Sequence, residues 1–214
     1  MQGISHALRT FRPASPAVQR FRESMQIDYW KWHDGIGYDI GLLKQATQEE
    51  RRQIEALVME RGARDWRDVE ALAALHTPKA VEELRHALTR GDHAIAMAVL
   101  EYAPASVSEN DRTAALVSAI EGAEIGSGLA EALRLVKHVH PPEVIDALFR
   151  ATLTRPNVVL FVAMLMFLYG LAKSEFDDDL RPFYFRFQSE DREAPFRELC
   201  EKAGVNAERY LRTR

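Results

Sequence analysis

Apolar residues return every three or four positions through segment after segment of this chain, and the residues between them are ones that start and stop helices. In "TQEERRQIEALVMERG", Ile54, Leu57 and Val58 share one helical face, Thr47 and Glu50 make a capping box, and Gly62 supplies the stop. "DWRDVEALAAL" predicts a second helix from Asp65, with Val69, Leu72 and Leu75 turned inward. "TPKAVEELRHALTRGD" follows, with Thr77 as N-cap, Pro78 in the first turn, Val81, Leu84 and Leu88 as the stripe, and Gly91 at its end. "HAIAMAVLEYAP" then places Ile95, Ala98, Val99 and Tyr102 on one face before Pro104 stops it. Two such helices joined by a two- or three-residue turn form an antiparallel hairpin.

The hairpin recurs. "SENDRTAALVSAIEGAE" is capped by Ser108, carries Asp111 in its first turn, and lines up Leu116, Val117 and Ile120. "GLAEALRLVKHV" offers Leu129, Ala132, Leu133 and Val136. "HPPEVIDALFRATLTR" opens on prolines, as the earlier helix opened on His76, Thr77 and Pro78. Leu84, Leu116 and Leu148 stand 32 apart, as do Ala87, Ala119 and Ala151; Ala98 and Ala130 keep the interval and Ala163 misses it by one. Residues 76–172 therefore resemble HEAT-like repeats, with a degenerate earlier hairpin over 46–75. The resemblance implies an all-α fold, a short right-handed α-solenoid with non-repeat capping segments. Asp92 sits where such repeats favour it, whereas Ala96 replaces their frequent Arg, and Gly126 and Gly128 loosen the middle turn.

Three parts follow within one domain: a tail and aromatic capping loop (1–45), the hairpins (46–172), and a C-terminal aromatic and helical cap (173–214). In "SEFDDDLRPFYFRF", Phe183, Phe185 and Phe187 alternate with Tyr184 and Arg186, which predicts an extended strand-like segment. Helix returns after Ser189 and stops at Gly204. The stretch "VVLFVAMLMFLYGLA" (158–172) has no charge, but it falls short of the roughly 20 apolar residues that span a bilayer. Arg155 precedes it and Lys173 follows it, and no His or Cys accompanies Met164 and Met166 as a ligand. It reads as a buried helix, covered on its outer side by "RPFYFRF".

Composition narrows function more than it names it. A formal charge of −4 weighs against nucleic acid as the partner and suits a basic protein. Cys200 is the only cysteine, which excludes an intrachain disulfide and a cysteine metal cluster. Its place after Phe196 and Leu199 makes it a buried helix residue. Residues 1–16 contain no apolar run of signal-peptide length, only Arg9 and Arg12 with no acid before Glu23, so a cytoplasmic location is expected.

No catalytic, cofactor-binding or metal-binding residues are assigned. His138 and His140 stand two apart beside Glu143 and Asp146, a spacing that suits a helix end and a turn better than a metal. Ser106 and Ser108 fit a turn and a helix cap. The densest constellation is "DYWKWHDGIGYD", where Tyr29, Trp30, Trp32, His33, Asp34 and Tyr38 cluster beside Gly35 and Gly37. It is either a binding surface or a cap whose tryptophans plug the first hairpin. If the hairpins form a groove, its lining is the polar face of the second helices: His93, Glu101, Glu131, Arg134 and His138. Asp177, Asp178 and Asp179 form an acidic patch able to receive a basic partner.

The solenoid resemblance implies a protein-binding module, and it suggests an immunity-type protein that neutralises a basic toxin domain, a role in which HEAT-like proteins of this size occur. An adaptor or assembly scaffold fits the same residues. The enzyme alternative is a HEAT-like DNA glycosylase, which would need Arg85, Arg90, Arg134, Lys137 and Arg150 to converge on one face, or a lyase.

Overall fold

Ser15 accepts a hydrogen bond from the Val18 N–H, Pro16 takes the first helical position, and the chain enters α1 (Pro16–Ser24). The computed structural model describes residues 15–90 and 92–212; the expected stop at Gly91 and the basic tail at Arg9 and Arg12 lie outside them. Among the described residues all regular structure is helical, and the fold is all-α. The chain divides into two compact units, Met1–Leu84 and Arg85–Arg214.

Unit 1 holds α1, α2 (Tyr29–His33), α3 (Gly41–Gln45), α4 (Gln48–Arg61), α5 (Trp66–Leu75) and the start of α6 (Pro78–Thr89). The capping box of α4 is present with both of its hydrogen bonds, Asp65 caps α5, and Thr77 accepts from the Ala80 N–H at the head of α6. Val69, Leu72 and Leu75 are buried as expected. The aromatic loop expected within 1–45 needs correcting: from Pro16 onward this stretch contains three helices. α1 packs on α4, burying Val18 and Phe21. Its signal was weak because those two residues are its only buried positions among Gln19, Arg20, Arg22 and Glu23. Ser15 joins the two helices by donating to Glu50, the capping-box acid, at 2.7 Å.

Unit 2 continues with α7 (His93–Tyr102), α8 (Glu109–Gly122), α9 (Leu129–Val136), α10 (Pro142–Thr154), α11 (Val158–Leu168), α12 (Arg181–Phe185), α13 (Glu193–Ala203) and α14 (Glu208–Leu211). α7 packs against α8 and α9, α8 against α9 and α10, and α10 against α11. α7, α8 and α10 thus each meet their successor, and α7 and α8 also meet the helix two places on, a packing order consistent with stacked hairpins. At the 32-residue interval of the first helices, Leu84, Leu116 and Leu148 are buried, and so are Ala87, Ala119 and Ala151. The second helices do not keep it, because Ala98 is buried and Ala130 is exposed. In that middle turn the 3₁₀ segment Ile125–Ser127 leads into Gly128, whose φ of 111° lets the chain pass against the first turn of α7.

α11 is buried from Phe161 to Met166 without interruption. It packs against α10, α12, the 3₁₀ turn Arg186–Gln188 and α13, so the aromatic segment covers it as expected. The conformation of that segment is a correction: it is helical, not extended. Pro182 suits a first helical turn, and the buried pair is Tyr184 and Phe187, three residues apart, while Phe185 points out. Behind α10, Phe149 stacks on Tyr210 with ring centroids 5.1 Å apart, and Phe196 meets both edge-on. Asp146 accepts hydrogen bonds from Tyr210 and Arg209, which ties α14 to α10. No helix among the described residues is long and apolar enough to cross a membrane.

Candidate functional site

In unit 1, Asp28 accepts a hydrogen bond from the Lys31 N–H and so starts α2, a helix of five residues with no buried member. So short a helix has little stability of its own and must be held from outside. Arg67 does this. It is almost completely buried at 2% exposure, and its Nε donates to the Ile36 carbonyl at 2.7 Å. Its Nη2 reaches the Lys31 carbonyl at 3.4 Å, while Nη1 is forked onto the Asp65 carboxylate. The guanidinium also lies over the Trp66 ring, 4.5 Å from its centroid. One buried side chain thereby holds the middle of α2 and the turn that follows it.

Tyr38 is corrected from a surface to a base residue. It is buried, its ring meets Phe21 edge-on, and its hydroxyl donates to Asp68 at 2.7 Å. Asp68 is wholly buried and also accepts from the Arg61 guanidinium and the Arg64 N–H. Burial first, then the hydrogen bond to Asp68, raises the Tyr38 pKa well above the usual tyrosine value.

On this base the other aromatics stand in solvent. Tyr29 is 63% exposed, Trp30 69% and Trp32 64%, with Ile36 close behind at 47%. Tyr29 is the hub, with its ring centroid 5.3 Å from Trp30, 6.2 Å from Trp32 and 5.9 Å from His33. His33 and Asp34 are exposed and share a hydrogen bond of 2.9 Å. The tryptophans therefore plug nothing, and this alternative from the sequence is set aside.

The other candidates lie in unit 2 and are not gathered. His93, at the head of α7, hydrogen-bonds Ser118 on α8 at 3.1 Å and rests against Gly122. Ser118 sits within α8, where the backbone N–H groups serve the helix. Glu101 and Arg134 pair with each other at 2.5 Å; Glu131 and His138 are exposed on and beyond α9. Asp177 accepts from the Lys173 and Asp179 N–H groups, the first of which holds its carboxyl below the usual range. Asp178 pairs with Arg181, and Asp179 with Lys173. Arg134, Lys137 and Arg150 each face a carboxylate, from Glu101, Glu175 and Glu121, so these three make no uncompensated basic stripe. Cys200 is buried, which pushes its thiol up to about 11 and away from nucleophilic use.

Sequence reasoning missed Arg67, because nothing local distinguishes a buried arginine from an exposed one. The Asp65 cap two residues before it was the available signal. Comparison with family models, with curated proteins and with solved structures finds no match.

Proposed function

We propose that the chain is a protein-binding module, a HEAT-like cytoplasmic protein of immunity type that holds a basic toxin domain through the α2 platform. The observation that supports this reading is the exposure of Tyr29, Trp30 and Trp32 on an element clamped by the buried Arg67. Large exposed aromatics are unfavourable in water and are the side chains that dominate interface hot spots. Clamping them beforehand reduces the ordering cost of association. His33 and Asp34 at the rim supply polar groups for orientation, and the chain's net charge of −4 favours encounter with a basic partner. Inhibition would follow from steric occlusion of the partner's active site.

The test is capture from native lysate followed by an activity assay on the captured protein. The immunity reading expects a stoichiometric basic enzyme that is inactive in the complex, and expects Trp30→Ala with Trp32→Ala to release it without lowering the melting temperature. Capture that survives this double substitution but fails with Glu101→Ala, Glu131→Ala and Arg134→Ala would move the site to unit 2. Capture of an enzyme that stays fully active would replace inhibition by a scaffold role.

A further inference from the structure

Glu70 differs from the carboxylates around it in unit 1. Asp28, Glu50 and Asp65 each take part in a helix cap, and Asp65 and Asp68 also hold the guanidinium groups of Arg67 and Arg61. Glu70 lies on α5, one turn after Arg67, and is partly buried. Among the described residues no hydrogen bond or ion pair reaches its carboxylate, whose oxygens still open to solvent.

Its position is set by a close approach. A Cβ on Gly37 would stand 3.0 Å from Glu70 Oε2 and 3.4 Å from Cη2 of Trp66, so the carboxylate lies over bare backbone beside the indole edge. Gly37 directly follows Ile36, whose carbonyl is held by Arg67. The carboxylate therefore borders the turn that closes the α2 platform. Burial raises the Glu70 pKa, and no neighbouring charge offsets it. A partly desolvated carboxylate without a counter-ion costs the free chain stability, and a cation delivered from outside would restore it. The nearby guanidinium groups do not supply that cation, because Arg61 is spent on Asp68, and Arg67 on Asp65 and two backbone carbonyls.

The chemistry selects a guanidinium over an ammonium. A guanidinium is more weakly hydrated, so it enters a half-desolvated niche at lower cost, and its planar fork meets both oxygens of one carboxylate. We propose that Glu70 receives an arginine side chain of the partner that docks on the α2 platform. This rests on the reading of α2 as a protein-binding surface, but the niche can be tested without the partner.

The probe is N-acetylarginine amide, with N-acetyllysine amide and N-acetylnorleucine amide as controls. NMR titration of the full chain, followed at the Trp66 indole N–H and the Glu70 carboxyl carbon, should show saturable binding of the arginine probe with a Kd on the order of 10 mM or tighter. The lysine probe should bind several-fold more weakly and the norleucine probe should give no response. Glu70→Gln should weaken the arginine probe about tenfold. Its melting temperature should hold or rise, because a desolvated charge has been removed, so lost binding cannot be lost folding. Absence of a saturable response in the unsubstituted protein, or equal arginine affinity with and without the carboxylate, would overturn the niche and leave the platform reading untouched. Partner capture that fails with Trp30→Ala and Trp32→Ala but is undiminished by Glu70→Gln would likewise overturn this proposal alone.

Discussion

The Tyr38 hydroxyl donates to the Asp68 carboxylate at 2.7 Å across thirty positions of sequence, and both side chains are buried. Asp68 also holds Arg61 and the Arg64 N–H, so a single carboxylate joins the chain after α2 to the start of α5 and the end of α4. Asp68→Ala leaves these donors without their acceptor and should cost about 3–5 kcal/mol. Tyr38→Phe removes one hydrogen bond to a charged group and should cost about 1.5–3 kcal/mol. Urea unfolding of both variants and of the double variant would show strong non-additivity if the pair acts as a unit.

Gly128 is required by space as well as by conformation. A Cβ there would lie 2.7 Å from the His93 carbonyl carbon and 2.8 Å from the Ala94 nitrogen, both backbone atoms that cannot swing away. Gly128→Ala should lower stability by about 2–4 kcal/mol. Gly126→Ala, two residues earlier in open space, should change it by less than about 1 kcal/mol. Equal effects of the two substitutions in thermal melts would contradict the close approach of this turn to α7.

Alkaline pH should unfold the protein by a defined route. Burial and carboxylate hydrogen bonds raise the pKa of Tyr38 and Tyr210 above the ordinary 10.0, and burial lifts Cys200 from 9.0 to about 11. A group whose folded pKa is raised contributes its full stability below the unfolded pKa and loses it as pH climbs towards the folded one. Stability should therefore decline from about pH 9 upward, first through Cys200 and then through the tyrosines. Native phenolate absorbance should lag that of the unfolded chain over the same range, and Cys200 should resist alkylation until unfolding. An early, full tyrosine titration with retained helicity would refute this.

Met164 lies at the centre of α11 with 3% exposure. Met164→Lys places an ammonium group among apolar neighbours and should cost about 4 kcal/mol or more. Hydrogen exchange should report lost protection in α10, α11 and α13, whereas liposome flotation should be the same for both proteins.

Local chemistry made much of the fold legible in the sequence. Thr47 with Glu50, Asp65, Thr77 and Ser108 cap helices where they were expected to, because a cap is a hydrogen bond within three residues. Leu84, Leu116 and Leu148 are buried because the periodicity that marks a helix also marks its inward face. Most of the uncharged run at 158–172 became a helix, Val158–Leu168, buried from Phe161 to Met166, because it offers no charged side to water. The run outlasts the helix, and Tyr169 and Gly170 lie exposed beyond its end.

What the sequence left open was the fate of side chains whose partners lie far along the chain. Trp30, Trp32 and Tyr38 look alike as a cluster, yet Tyr38 goes inward and the tryptophans stay outside. The difference is that α5 supplies a buried carboxylate for the hydroxyl of Tyr38, while the tryptophans remain in solvent. Phe183, Phe185 and Phe187 alternate like a strand, but the surface of α11 selects Tyr184 and Phe187 and so a helix. Caps and periodicity are settled within a few residues. Which aromatic is buried depends on the surface that meets it, and that surface exists only after the chain has folded.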